Sequence, residues 1–184
     1  MDMPTREPND ASGNGSGIKI RRVPVGPLST NCYIVRLEGQ AQAVVIDPGA
    51  APSKLLRLIA DDGLKVEAII NTHGHPDHIG GNAALREATG APVYVGEFDA
   101  HMLEEPDDMF GLLDRAGASG MNLQADEVMR DGDRLHLAGI EFMVLATPGH
   151  TPGGVSLYLQ DHGVVFTGDT LFNMGVGRTD FAGG

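Results

Sequence analysis

The stretch Val66-Glu67-Ala68-Ile69-Ile70-Asn71-Thr72-His73-Gly74-His75-Pro76-Asp77-His78-Ile79-Gly80-Gly81 decides how this chain is read. Its first half is apolar and β-prone and stops abruptly at Thr72. That predicts a buried strand over Val66–Asn71 feeding a loop at its C-terminal end. Side chains two apart in an extended segment point the same way, so His73 and His75 can converge on one ion. Asp77 and His78 fall where a helix starts and can face a neighbouring point. So many ligand-type side chains give a core nothing, because each buried polar group needs a partner. The pattern predicts a metal site.

Working outward, strands are predicted over Ile18–Val25, Cys32–Leu37 and Ala43–Ile46, and a short one over Pro92–Val95. Helices are predicted over Lys54–Asp61, Ile79–Thr89 and Glu97–Glu104, from apolar spacing and the glycines that stop it. The segment Glu105–Asp126, just after Met102, carries Pro106, Gly111, Gly117, Gly120, Met109 and Met121 without periodicity. It reads either as a loop or short helices near a substrate mouth, or as a surface connection with gap-filling methionines. Beyond Asp131 the pattern returns to strands, over Arg134–Leu137, Ile140–Leu145, Gly154–Leu159 and Val164–Phe166. Strands on both sides of a helical middle predict an α+β chain with two packed sheets flanked by helices, an αβ/βα sandwich.

Two further polar points fall at strand ends. One is His150, in Thr147-Pro148-Gly149-His150-Thr151-Pro152-Gly153-Gly154; the other is Asp169, in Gly168-Asp169-Thr170. Functional groups collect where strands end and loops begin. Taken alone, each is an ordinary turn residue. With the opening motif they complete a set. His73, His75 and His150 form a three-imidazole site with a position left for water, as expected of catalytic zinc. Asp77, His78 and Asp169 offer a harder, more oxygen-rich second site, with Asp169 able to bridge.

Composition narrows the function classes. The chain has 184 residues, enough for one domain with an ample core, and a formal net charge of −12. That charge argues against nucleic acid or an anionic membrane surface as partner. No window is apolar enough for a membrane span. Cys32 is the only cysteine, so an intrachain disulfide is impossible and a reducing, cytoplasmic setting is expected. Residues 1–17 are polar and lack the apolar core of a secretion signal, so a disordered tail is expected ahead of one domain over residues 18–184.

His73-Gly74-His75-Pro76-Asp77-His78, Gly149-His150-Thr151 and Gly168-Asp169-Thr170 together resemble the metallo-β-lactamase-fold hydrolase superfamily, from about Ile18 to Gly184. Gly149-His150-Thr151-Pro152-Gly153 and Gly177-Arg178-Thr179-Asp180-Phe181 resemble its glyoxalase II-like branch, which includes the hydroxyacylglutathione hydrolases. The resemblance implies two packed mixed sheets flanked by helices. It implies that His73, His75 and His150 hold a first metal, and Asp77, His78 and bridging Asp169 a second. Two zinc ions are implied in the complete protein, with iron or manganese as other fits. The implied reaction is attack of a metal-bound hydroxide, oriented by Asp77, on the thioester of a small acyl-glutathione-like substrate. Persulfide dioxygenases, which hold a single iron, share the Gly-Arg-Thr-Asp signature and give an alternative reading.

The family pattern continues through a further helix and strand to a last histidine ligand of the second metal, and the chain stops at Gly184 before one. His101, His136 and His162 read as surface residues. A C-terminally incomplete sequence is therefore expected, lacking the last helix-strand-helix portion, and a truncated or inactive metal-binding remnant is the third reading. Cys32 reads as a small buried hydrophobe. Arg178 and Asp180 read as an ion pair fixing their loop or as supports behind the ligands. Asp47, at a strand end before Pro48-Gly49, reads as a turn cap or a group beneath the metals.

Overall fold

The structure, a computed structural model, describes residues 17–106 and 122–180. The expected tail lies outside the described residues except for Gly17, and most of the Glu105–Asp126 segment lies outside them too.

Six strands form the first sheet in sequential order: β1 (Ile18–Val25), β2 (Thr30–Leu37), β3 (Gln42–Ile46), β4 (Lys65–Ile70), β5 (Val93–Gly96) and β6 (Glu127–Met129). The first two pairings are antiparallel and the next three parallel, so the sheet is mixed. Each parallel step needs a crossover. These are made by α1 (Pro52–Asp61), by α2 (Pro76–Ile79) with α3 (Asn82–Thr89), and by a path through α4 (Ala100–Glu104). The second sheet is antiparallel in the order β10 (Val164–Phe166), β9 (Val155–Leu159), β8 (Ile140–Ala146), β7 (Arg134–Leu137). A two-stranded ribbon, β11 (Leu171–Phe172) with β12 (Gly175–Val176), follows.

The inner strands of the first sheet are buried on both faces, which is why Ala43–Ile46 and Ala68–Ile70 are unbroken apolar runs. Val45, Ile69, Val93 and Val95 pack against Leu55 and Ile59 of α1, Leu85 of α3 and Leu103 of α4. Val44, Ile46, Ala68 and Ile70 face the second sheet, meeting Phe142, Val144, Leu157 and Leu159. Among the described residues the layers therefore run helices, mixed sheet, antiparallel sheet. No described helix is long and apolar enough to cross a membrane.

Most predicted elements are found where the periodicity placed them. The helix predicted over Ile79–Thr89 is instead divided between α2 and α3. Gly81 donates its N–H to the Pro48 carbonyl at 2.5 Å rather than continuing the helical ladder. The Asp47-Pro48-Gly49 turn lies so close that a Cβ on Gly49 would overlap the Asp77 carbonyl. Strand β6 and the β11–β12 ribbon are additions to the sequence reading.

This topology gathers one edge. Strands β3, β4 and β5 run parallel and end at Asp47, at Asn71-Thr72-His73 and just before Asp99. Strands β8 and β10 deliver Thr147–His150 and Thr167–Asp169 to the same side. The sheets are stitched there by Val155 N–H donating to the Thr72 carbonyl at 2.8 Å.

Candidate metal centre

The six residues singled out from sequence converge at that edge. Ligand-capable atoms of His73, His75 and His150 lie within 4.8 Å of one another, as do those of His73, His78 and Asp169. His75 Nδ1 is 3.0 Å from His150 Nε2. Asp169 spans the clusters, with Oδ1 3.3 Å from His78 Nε2 and Oδ2 3.6 Å from His150 Nε2. Asp77 belongs to neither three-residue group. Its Oδ2 lies 3.4 Å from His78 Nε2 and accepts a 2.6 Å hydrogen bond from Thr30 Oγ1.

Electrostatics follow from burial and neighbours. His73 is 2% exposed, and its Nε2 has no hydrogen-bond partner among the described residues. Burial first, then the charges of His78, His75 and His150, hold its pKa well below the usual imidazole value. Burial and His150 lower His75 as well. Burial also opposes a charge on His78, but Asp47, Asp169 and Asp77 outweigh it and push its pKa up to about 10. Burial raises the Asp169 carboxyl, and the His78 hydrogen bond and surrounding imidazoles overcome this and lower it.

These features fit a divalent metal. Binding requires neutral imidazole and ionised carboxylate, the states that His73, His75 and Asp169 favour, and a metal would displace the proton that the neighbouring carboxylates favour on His78. The orphaned Nε2 of His73 is a buried polar atom whose desolvation no group among the described residues offsets. The sets are three imidazoles on one side, and two imidazoles with a carboxylate on the other. Both suit zinc or iron.

The groups behind the candidate ligands are less visible in the sequence. Asp47, 2% exposed, accepts from Thr72 N–H and Thr72 Oγ1, both at 2.8 Å. Its Oδ2 lies 3.1 Å from His78 Nδ1, out of hydrogen-bond alignment. It therefore sits beneath the candidate ligands. His150 Nδ1 lies 2.8 Å from the Arg178 carbonyl; with the proton on Nδ1, Nε2 is left to face the cluster. Arg178 and Asp180, read from the sequence as an ion pair or as supports behind the ligands, form an exposed bidentate ion pair at 2.8 Å per contact. What reaches the site from that loop is thus a backbone carbonyl. Thr30 and Asp99 were not foreseen. Cys32 is fully buried, and His101 and His136 are exposed. A cavity of about 570 Å³ opens beside Asp77, His78 and Asp169, with Tyr33, Phe166 and Phe172 among its walls.

Comparison with known proteins agrees with this architecture. Residues 25–184 match the metallo-beta-lactamase superfamily. A hydroxyacylglutathione hydrolase, GloC, of Haemophilus influenzae is 33% identical over 173 residues, covering 91% of this chain and 78% of its own. Among solved structures, the BLEG-1 B3 metallo-beta-lactamase superposes with a TM-score of 0.81 at 36% identity, over 90% of this chain and 79% of that one. The protein TTHA1623, in a di-iron-bound form, gives 0.77 at 39% identity, over 89% and 78%. With that match, the fold and the two clusters at the strand ends, the chain belongs to the metallo-beta-lactamase superfamily of metallohydrolases.

Proposed function

We propose that the chain is a dinuclear metal-dependent hydrolase that cleaves a thioester of the acyl-glutathione type. The observation that carries the dinuclear part is the pair of ligand clusters sharing His73, with Asp169 reaching both. The thioester part is supported by the similarity to the H. influenzae hydroxyacylglutathione hydrolase. His73, His75 and His150 would hold the first ion, and Asp77, His78 and Asp169 the second. Zinc is the proposed metal. A cytoplasmic setting is proposed with it, in keeping with the single buried thiol of Cys32.

Bound metal supplies a water acidic enough to act as nucleophile near neutral pH and polarises the carbonyl to be attacked. The chain's own groups do the rest. Asp77, steadied by a hydrogen bond from Thr30, would accept a proton from the attacking water and orient it. His150 is kept in one tautomer by the Arg178 carbonyl, and Asp47 sets its negative charge beside His78. The cavity beside Asp77 has room for a substrate, and its mixed walls offer Phe166 and Phe172 to an acyl portion and Asn31 and Thr167 to polar groups. A thiolate leaves with little protonation, so no separate general acid is required.

The test is hydrolysis of an S-acylglutathione by zinc-loaded chain, followed through loss of thioester absorbance and appearance of thiol, with a chromogenic β-lactam as a comparison substrate. Thioester turnover that disappears on chelation supports the reading. Metal bound with no thioester turnover refutes it. The iron dioxygenase reading predicts instead one iron and oxygen uptake with a persulfide substrate.

A further inference from the structure

Asp99 follows β5 at the end of a single turn of 3₁₀ helix, Glu97–Asp99. It is fully buried. No cationic side chain pairs with it among the described residues. A carboxylate placed this way persists only if donors surround it. Its Oδ2 accepts from Gly74 N–H at 3.0 Å and from Thr151 Oγ1 at 2.7 Å, and its Oδ1 accepts from Gly153 N–H at 2.6 Å. Gly74 lies between His73 and His75, and Thr151 directly follows His150. One carboxylate thus joins the two loops that carry all three imidazoles of the first cluster.

The loops have been shaped around it. A Cβ on Gly153 would stand 2.6 Å from Asp99 Oδ1, and one on Gly74 would stand 2.6 Å from Met102 Cβ in α4. Neither glycine can carry a side chain without moving the element that holds Asp99. His78 and Asp169 are held differently: Asp47 lies against His78, and Asn71 Nδ2 donates to the His78 carbonyl at 3.1 Å.

We propose that Asp99 is a positioning residue, a clasp that sets the separation between the His73–His75 loop and the His150 loop. It thereby sets the affinity and geometry of the three-imidazole metal site. This rests on the metal-centre reading above. Groups that orient metal ligands from behind are typically worth about 10- to 100-fold in metal affinity.

The experiment titrates the full chain, stripped of metal, with Co²⁺ as probe. Affinity is read by chelator competition and geometry by the visible d–d band. Asp99→Asn keeps the shape but turns one acceptor into a donor that must face a backbone N–H or Thr151. Thr151→Val removes a single donor at nearly constant volume. Folded Asp99→Asn protein is expected to bind Co²⁺ about 10- to 100-fold more weakly with an altered band, and Thr151→Val to show a smaller loss in the same direction. A purely structural role would lower the melting temperature while leaving the affinity and band of the folded protein unchanged, and that result overturns the clasp. If Asp99→Asn does not fold, Thr151→Val decides, and an unchanged affinity overturns the proposal. Wild-type chain that takes up no Co²⁺ overturns the metal-centre reading and the clasp with it.

Discussion

Asp47 offers the sharpest test of how the second cluster is supported, because two substitutions there separate charge from shape. The residue is buried, adopts a left-handed φ of 51°, and receives both Thr72 hydrogen bonds while facing His78. Asp47→Asn tolerates the left-handed backbone and keeps one acceptor oxygen. It loses one hydrogen bond to a charged acceptor, worth about 1.5–3 kcal/mol, and the negative charge beside His78. Asp47→Ala also leaves a buried N–H unpaired and puts a Cβ-bearing, non-bonding residue in the left-handed region. These add roughly 2–4 kcal/mol. The expected order of stability is wild type, then Asp47→Asn, then Asp47→Ala, with the first gap about 2–3 kcal/mol.

The assay is urea unfolding in the presence of chelator, compared through midpoints at constant slope. A pH dependence follows. The folded pKa of His78 is pushed up to about 10, above the ordinary value near 6.5. The stabilisation is therefore complete below about 6.5 and is lost as pH rises through about 10. Removing the Asp47 charge lowers the folded pKa, so the Asp47→Asn deficit is largest near neutrality and shrinks toward pH 10. Variants within about 0.5 kcal/mol of wild type, or a deficit that grows with pH, would refute the assignment of Asp47 as the charge behind His78.

Asp169→Asn removes the carboxylate that reaches both clusters; metal titration should show the second ion bound at least about tenfold more weakly, and an unchanged two-step titration contradicts the bridging role. Burial first, then the Asp47 charge, raises the Cys32 thiol pKa, partly opposed by Lys54. Native protein should resist a thiol reagent that labels the unfolded chain at once, and stability should fall above about pH 8.5, where only the unfolded thiol ionises; rapid native labelling sinks the idea. Gly49→Ala forces a methyl into the Asp77 carbonyl, so a loss of at least about 2 kcal/mol in a denaturant melt is expected, and a neutral outcome would mean that the Pro48-Gly49 turn does not press on α2.

What could be read from the chain alone was whatever is local along it. His73, His75, Asp77 and His78 lie within six consecutive residues, and the apolar runs around Val45 and Ile69 carry their two-faced burial on their surface. The division of the Ile79–Thr89 helix depends on a bond from Gly81 to Pro48, more than thirty residues away, and no periodicity records it. Strand β6 is three residues long, with Glu127 and Val128 exposed and Met129 alone buried, so it resembles a loop until β5 pairs with it. The supporting carboxylates are harder still, because their partners come from distant loops. Residues 98 and 99 make the point. Polarity would bury Phe98 and expose Asp99, whereas Phe98 is 67% exposed and Asp99 is 0% exposed. Leaving a phenylalanine in water forfeits about 2 kcal/mol, and burying an unpaired carboxylate costs several more. The chain accepts both only because Gly74, Thr151 and Gly153 bring three donors to one point. Those donors come from the two loops that carry the histidines of the first cluster, so the inversion that hides Asp99 from a sequence reading also ties it to the metal centre.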